Sequence, residues 1–156
     1  MVAAESDRCP NRRGDKLAGR YRLESIIAEG GFGQVWRAFD EQLQRPVAVK
    51  VPKSRRYHST DEEEGLLAEA QKVARLKHEG IVRVYDVGLQ DGAYFIVSDL
   101  IDGVDLKERL RLEPPSMLEA VRIVAQAARS LHYAHEQGFV HRDIKPAAGG
   151  RIAFPG

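Results

Sequence analysis

Two charged side chains near the end of the chain are of types that can move a proton and balance negative charge. Asp143 and Lys145 stand two residues apart, directly before Pro146, in the run Gly-Phe-Val-His-Arg-Asp-Ile-Lys-Pro at 138–146. A carboxylate can accept a proton from a hydroxyl group, and an ammonium group can offset negative charge beside it. His-Arg-Asp alone is weak evidence, but here it follows a long amphipathic helix and ends in Lys-Pro, which makes the signal specific.

A second candidate site is the glycine-rich stretch at 28–33, Ala-Glu-Gly-Gly-Phe-Gly. Gly30, Gly31 and Gly33 allow positive φ and let the backbone approach a ligand closely, as a phosphate-covering turn between two strands requires. The turn by itself is equally compatible with an ordinary glycine-rich hairpin. Lys50, one strand later, lies at the end of an apolar run. A strand lysine is usually just solvated, but these apolar flanks favour a functional position for Lys50.

Apolar periodicity predicts the elements that must position these residues. Three strands joined by short links form an antiparallel meander, and a hairpin with the turn Gln-Asp-Gly at 90–92 adds two more. A hydroxyl- and acid-rich start at 59–64 begins one helix, and Ser116 with Glu119 forms a capping box for a second long helix. The predicted strands are Tyr21–Ala28, Gln34–Phe39, Pro46–Val51, Val82–Val87 and Ala93–Val97, and the helices are about 59–77, Leu106–Leu112 and Ser116–Gln137.

The composition excludes several classes of protein. Of the 156 residues, 24 are basic and 23 acidic, whereas a general nucleic-acid or membrane-surface binder needs a basic excess. With 43% hydrophobic residues the chain can bury a core. The single cysteine, Cys9, cannot form an intrachain disulfide, and no apolar run approaches the roughly 18 residues that span a bilayer. We therefore expect a cytoplasmic chain with no nucleic-acid partner and no membrane segment.

The glycine turn, the Val-Ala-Val-Lys run ending at Lys50 and the His-Arg-Asp-Ile-Lys-Pro run at 141–146 together resemble bacterial-type serine/threonine protein kinases. The resemblance implies an α+β fold, with a small lobe of five antiparallel strands and one helix, followed by the first helices of an incomplete large lobe. It implies ATP as the nucleotide, Mg²⁺ as the metal ion and a protein substrate of unknown identity. One departure is Ala28, where the family usually has the first glycine of Gly-x-Gly-x-x-Gly.

The resemblance also assigns roles to single residues. Lys50 would pair with the α- and β-phosphates of ATP, and Glu69 would be its acidic partner. Glu69 has leucine or valine three residues before it and four and seven after it, which places it at the edge of a buried helix face. Asp143 would accept the proton of the substrate hydroxyl, and Lys145 would offset charge on the phosphoryl group. The implied nucleotide contacts are Ile27, Ala28, Glu29, Gly30, Gly31, Phe32, Gly33, Val35, Ala48, Lys50, Glu69, Asp99 and Ile101.

The assignment of the hinge between the lobes depends on the resemblance alone. The segment 94–100 resembles the last strand of the small lobe as it enters the hinge, with Ser98 as the gatekeeper. Asp99 and Ile101 would then offer backbone hydrogen bonds to adenine, which Val35 and Ala48 would enclose. Without the resemblance, a plain edge strand running into a loop explains the same pattern.

The kinase pattern breaks directly after Pro146. The family has a magnesium-binding asparagine two positions later, whereas this chain has Ala148, and the Asp-Phe-Gly motif is absent. We therefore predict no metal ligand and negligible phosphoryl transfer by this chain alone. The predicted organisation is a flexible leader at 1–19, a small lobe at 20–100, the hinge and start of the large lobe at 101–146, and an aberrant tail at 147–156 of a kinase gene truncated in its catalytic loop.

Three functions fit these residues. The leading one is a serine/threonine protein kinase, present as an amino-terminal fragment that is inactive alone. The second is a non-catalytic pseudokinase fragment that binds nucleotide or a partner, and the third is a truncated-gene relic. The apolar face of the helix at 116–137 lacks a predicted cover, so association through it is expected as well.

Overall fold

The structure is a computed structural model that describes residues 12–30, 33–51, 67–68, 70–90, 92–141 and 144–146. Helix α1 is described at 67–68 and 70–74, and it precedes two further helices, α2 (Leu106–Leu112) and α3 (Met117–Glu136). The strands are β1 (Lys16–Leu17), β2 (Tyr21–Gly30), β3 (Gly33–Asp40), β4 (Arg45–Val51), β5 (Val84–Gln90) and β6 (Ala93–Ser98). They form one sheet in the order β1-β2-β3-β4-β6-β5, and every neighbouring pair is antiparallel.

The α+β class is confirmed, but the sheet has six strands rather than the five expected. The additional strand is β1, where Lys16 pairs with Arg22 and Leu17 pairs with Tyr21. Leu17 is only 5% exposed and belongs to the core, so hydrophobic burial holds this segment on the sheet. The sheet therefore begins inside the stretch that the sequence assigned to a flexible leader at 1–19. A two-residue strand has too few alternating positions to be recognised from its sequence.

Alternation along the strands separates a core face from an opposite face. On β4, Val47 and Val49 are fully buried and Val51 is nearly so, whereas Lys50 is exposed between them. Successive strand side chains point to opposite sides, so the three valines face the core and Lys50 faces away from it. The core cluster consists of Leu17, Tyr21, Leu23, Trp36, Ala38, Val47, Val49, Val51, Phe95 and Val97.

Side-chain hydrogen bonds join the two ends of the sheet, although β1 and β5 are not paired as strands. The Tyr21 hydroxyl donates to the Asp86 carboxylate at 2.6 Å, and the Ala18 amide donates to Oε1 of Gln90 at 2.5 Å. The sheet must curl to bring β5 within reach of the segment before β2. This curl encloses the core face within one small lobe.

Both ends of α3 have well-formed caps. The predicted capping box is confirmed: the Ser116 hydroxyl accepts from the Glu119 amide, and the Glu119 carboxylate accepts from the Ser116 amide at 2.7 Å. At the other end, Gly138 has φ +75°, and the Gly138 and Phe139 amides donate to the carbonyls of His135 and Ala134. This Schellman arrangement ends the helix where the sequence placed its last turn.

The first half of α3 carries an exposed apolar face. Met117, Leu118, Val121 and Val124 are between 57% and 82% exposed. Their exposure matches the uncovered face expected from the sequence, and association through that face stays a prediction. Among the described helices, none is long and apolar enough to cross a bilayer.

Candidate functional site

A row of cross-strand neighbours links the glycine turn to Lys50. Ala28 pairs with Val35 between β2 and β3, Val35 pairs with Lys50 between β3 and β4, and Lys50 pairs with Ile96 on β6. Directly paired residues of an antiparallel sheet place their side chains on the same face. Val35 and Lys50 therefore lie side by side, on the face opposite the core.

Ala48 belongs to the neighbouring row on the same face. It pairs with Arg37 on β3 and with Ser98 on β6, and it lies two residues before Lys50. Ala48 is only 7% exposed although it is not part of the core cluster. Alanine places only a methyl group on this face, between Arg37 on β3 and Ser98 on β6. The structure thus brings the predicted adenine-contacting pair, Val35 and Ala48, onto the face that carries Lys50.

The glycine turn closes this face at one end. Gly30, the last residue of β2, pairs with Gly33, the first residue of β3, and Gly31 and Phe32 lie outside the described part of the chain. Gly33 has φ +135°, which only glycine adopts readily. A Cβ built on Gly30 would meet nothing within 4 Å, so the backbone there is open to close approach by a ligand.

The residues predicted for the hinge follow directly after β6. The Asp99 amide donates to the Arg83 carbonyl at 3.0 Å, and the Asp99 carboxylate accepts a hydrogen bond from the Tyr85 hydroxyl. That hydrogen bond, together with partial burial, raises the pKa of the Tyr85 phenol. Ser98, Asp99 and Ile101 are all half-buried. The backbone of the predicted hinge is therefore anchored at the Asp99 amide and side chain.

Tyr85 is a residue of this site that the sequence did not single out. It lies at a β-bulge, because β5 pairs Val84 with Ser98 and then Asp86 with Val97, with no partner for Tyr85. A bulge redirects the side chain of the extra residue. The only signal in the sequence is a tyrosine between Val84 and Asp86, which is compatible with regular alternation, so the bulge could not have been found there.

The segment that leads toward Asp143 is set by the end of α3. After Gly138 the chain continues through Phe139 to His141, and residues 144–146 are described again, with the Pro146 carbonyl accepting from the Lys107 amide at 3.1 Å. Lys145 is exposed and takes part in an interaction. Asp143 lies outside the described residues, and so does Glu69. The pairing of Lys50 with Glu69, and the approach of Asp143 to Lys50 across one cleft, stay predictions.

A cavity elsewhere on the sheet is a weaker candidate for a functional site. It has a volume of about 450 Å³ and is lined mainly by Arg13, Arg22, Arg37, Glu24 and Ser25. Glu24 forms ion pairs with both Arg22, at 3.3 Å, and Arg37, at 3.4 Å. Two of its three guanidinium groups are thus already paired, which weakens any attraction for an anion. Lys50 and the glycine turn do not line this cavity.

The residues present fit a nucleotide better than they fit a metal ion. The apolar Val35 and Ala48, an exposed ammonium group and an open glycine turn on one face supply groups that suit a base and its phosphates. At the position of the family's magnesium-binding asparagine, Ala148 has no donor atom in its side chain. Within the described ranges, no group of three or more His, Cys, Asp or Glu side chains could hold a metal ion.

Comparisons with known proteins agree with this architecture. The family described as protein kinase domain matches residues 21–148. The serine/threonine-protein kinase PknA of Mycobacterium tuberculosis is 43% identical over 143 residues, which cover 86% of this chain and 33% of PknA. PrkC of Bacillus subtilis, also named a serine/threonine-protein kinase, is 35% identical over 134 residues, which cover 85% of this chain and 21% of PrkC.

Solved structures lead to the same family. The crystal structure of the M. tuberculosis PknI kinase domain has a TM-score of 0.76 and 30% sequence identity to this chain, covering 91% of this chain and 59% of that domain. The chain therefore spans about a third of PknA, a fifth of PrkC and three fifths of the PknI kinase domain. The sheet with its glycine turn and Lys50 corresponds to the expected small lobe. This chain belongs to the protein kinase family, and its relatives are bacterial serine/threonine kinases.

Proposed function

We propose that this chain is the nucleotide-binding part of a serine/threonine protein kinase and that it binds ATP on the sheet face that carries Lys50. In this proposal residues 20–100 are the small lobe, and 101–146 are the hinge and the start of the large lobe. The observation that carries the proposal is the strand register, which gathers Ala28, Val35, Ala48 and Lys50 onto one face beside the glycine turn.

Each part of that face has a task in binding. The methyl groups of Val35 and the small Ala48 side chain would contact one face of the purine ring, where apolar contact excludes water. The Lys50 ammonium group would donate charge-assisted hydrogen bonds to phosphate oxygens. The open backbone at Gly30 and Gly33 would let the turn cover those phosphates at short range.

Phosphoryl transfer by this chain alone is expected to be negligible. Kinases rely on positioning and on metal ions that neutralise the charge of the phosphates. Ala148 supplies no ligand where the family uses asparagine, so no transfer step is assigned to a metal ion here. Asp143 and Lys145 keep their proposed roles as the acceptor of the hydroxyl proton and the compensating charge. Both residues would act in transfer only where the substrate is positioned and metal ions neutralise the charge of the phosphates.

Ala148 also favours a second function, that of a non-catalytic pseudokinase fragment that binds nucleotide. The two functions share the binding face and differ in whether a phosphoryl group ever reaches a serine or threonine hydroxyl. They are therefore separated by measuring binding and transfer on the same preparation.

The decisive experiment is calorimetric titration with ATP and ADP, with and without Mg²⁺. Lys50→Met should weaken ATP binding by about tenfold or more, because it removes charge-assisted hydrogen bonds of roughly 1.5–3 kcal/mol. The matched control is Lys16→Met, which removes an exposed lysine from the same sheet and breaks only its surface ion pair with Glu41. It should leave the Kd within about twofold of the original value, since surface pairs contribute little.

Two outcomes would contradict the proposal: no binding of ATP by the folded chain, or equal binding by the original chain and Lys50→Met. Transfer is followed with labelled ATP and a mixed serine/threonine peptide pool, using Asp143→Asn as the blank. Transfer above that blank would identify an active kinase and reject the pseudokinase alternative. Transfer that persists in Asp143→Asn would show that Asp143 is not the proton acceptor.

A further inference from the structure

A β-bulge in β2 changes the side of the sheet on which Ser25 lies. Leu23 pairs with Ala38, and both are fully buried in the core. Ser25 is the next paired residue, opposite Arg37, which leaves Glu24 as the extra residue of the bulge. Strict alternation would send Ser25 to the core side, as it does Leu23. The bulge instead places Ser25 beside Arg37, exposed on the face opposite the core.

Ser25 lines the cavity of about 450 Å³ together with three arginines. The charged groups of this lining are Arg13, Arg22, Arg37 and Glu24, so the positive charges exceed the negative charge by two. Within the described ranges, Arg13 forms no ion pair and the Ser25 hydroxyl makes no hydrogen bond. A phosphoserine side chain carries a charge of about −1.5 to −2 at neutral pH, which matches this excess.

The ion pairs already present in the cavity are weak enough to be exchanged. Glu24 lies 3.3 Å from Arg22 and 3.4 Å from Arg37, and these side chains are between 30% and 43% exposed. Glu41 and Asp102, from outside the cavity, lie 3.3 and 3.8 Å from the same two arginines. Exposed pairs of this kind contribute little to stability. They weaken the attraction for a free anion, whereas a phosphate bonded to the neighbouring serine is held there at high effective concentration and can form shorter, bidentate hydrogen bonds.

We propose that Ser25 is a phosphorylation site whose phosphate is held by the three arginines of the cavity and ties the segment before β1 to β2 and β3. The phosphoryl donor is ATP and the enzyme is a separate serine/threonine kinase. The Ser25 oxygen bonds to the γ-phosphorus, the bond from that phosphorus to ADP breaks, and the hydroxyl proton passes to the general base of the enzyme. The described backbone hydrogen bonds on the outer side of β2 end at Leu23, so the strand edge beside Ser25 is open to an enzyme.

Phosphorylation is tested by mass spectrometry on the whole folded chain. Trypsin releases the peptide 23–37, in which Ser25 is the only residue with a hydroxyl group, so one added phosphoryl group identifies the site. The kinase used is one chosen because it phosphorylates a synthetic peptide of residues 18–30. The folded chain should gain one phosphoryl group on this tryptic peptide, and Ser25→Ala should gain none. Modification of the synthetic peptide without modification of the folded chain would overturn the assignment.

The role of the arginines is tested by thermal unfolding of the whole chain with phosphoserine incorporated at position 25. Its Tm should rise by about 3 °C over that of the unmodified chain, because charge-assisted hydrogen bonds form, and this gain should shrink in roughly 0.5 M salt. Arg37→Gln should remove most of the gain, and Glu24→Gln should enlarge it because a competing carboxylate is lost. Arg12→Gln is the matched control: Arg12 does not line the cavity, so the gain should stay unchanged.

Two further results decide the inference. Equal Tm values with and without the phosphate would overturn it, and so would a gain that both Arg37→Gln and Arg13→Gln leave intact. Inorganic phosphate at millimolar concentration should leave the Tm of the unmodified chain unchanged. A rise equal to that of the phosphoserine chain would show that the cavity binds a free anion, and Ser25 would lose its assignment.

Discussion

Asp40 is a buried carboxylate whose hydrogen-bond partners come from two separate parts of the chain. It is 1% exposed, and its carboxylate accepts two hydrogen bonds from the Arg20 guanidinium group, at 2.8 and 2.7 Å. The backbone amides of Gln42 and Leu43 also donate to it, each at 3.1 Å. Asp40 ends β3, so this carboxylate holds the turn into β4 against the segment before β2. A buried charge is tolerated here because every side of it is satisfied.

These contacts predict an acid-dependent loss of stability. The hydrogen bond from Arg20 is the main cause that lowers the pKa of Asp40 from 3.8 to about 2. A carboxylate with a lowered pKa in the folded state stabilises that state above its unfolded pKa, and this contribution disappears as the pH falls from about 4 to 2. The contribution is about 2 kcal/mol at neutral pH.

The measurement compares urea unfolding of the original chain and Asp40→Asn between pH 6 and about pH 2.5. Asp40→Asn should be less stable at pH 6, and its free energy of unfolding should fall less steeply with acid because the titrating group is gone. Parallel curves for the two proteins would mean that Asp40 does not carry this pH dependence.

At the scale of elements, the end of α3 decides where the next segment can go. The Schellman hydrogen bonds at His135 and Ala134 need a left-handed residue between helix and loop, and Gly138 supplies it with φ +75°. Further along the chain, the Pro146 carbonyl accepts a hydrogen bond from the Lys107 amide at the start of α2. The stretch at 139–146 that carries Asp143 and Lys145 is thus anchored at both ends by helix termini.

Gly138→Ala should therefore destabilise the chain by about 1 kcal/mol, because alanine in the left-handed region brings its Cβ close to the backbone carbonyl. Gly138→Asn is the matched comparison, since asparagine tolerates that region, and it should cost clearly less. Urea unfolding at neutral pH measures both free energies. Equal stability of the alanine and asparagine variants would show that the positive φ does not determine the cost.

At the scale of the whole molecule, the turn before β5 joins the small lobe to α3. The Lys77 amide donates to the Tyr133 hydroxyl at 3.1 Å, and the rings of His78 and Tyr133 lie 5.2 Å apart. Gly80 packs against Ser130 so closely that an added Cβ would overlap the Ser130 hydroxyl. These contacts fix α3, and the segment that follows it, relative to the sheet that carries Lys50.

Gly80→Ala tests this joint between the lobes. It should lower the free energy of unfolding by about 1–3 kcal/mol, the usual cost of overpacking. Ser130→Ala in the same chain should restore most of the loss, because it removes the hydroxyl that the new methyl group meets and leaves the Ser130 Cβ position at 3.4 Å. Ser130→Ala alone is the control. A double variant no more stable than Gly80→Ala would place the strain elsewhere.

Much of the fold around the candidate site could be predicted because it depends on local patterns. The glycine turn, the strand that carries Lys50 and the capping box at Ser116 follow from spacings of two to four residues. The α2 boundaries at Leu106–Leu112 were predicted without error for the same reason. The resemblance to protein kinases was carried by short runs of this kind, and the match of the protein kinase domain to residues 21–148 confirms it.

Other features depend on residues that are distant in the sequence, and only the tertiary structure decided them. Strand β1 is stable because Leu17 reaches a core built from β2, β3, β4 and β6. Gly88 is required because the Phe95 ring lies over it, and the bulge at Tyr85 appears only in the pairing with β6. Periodicity along a strand determines which residues share a face. Packing between distant segments determines which strands pair across the sheet, and no local pattern encodes it. The same packing sets the one-residue register shift that brings Tyr85 to Asp99.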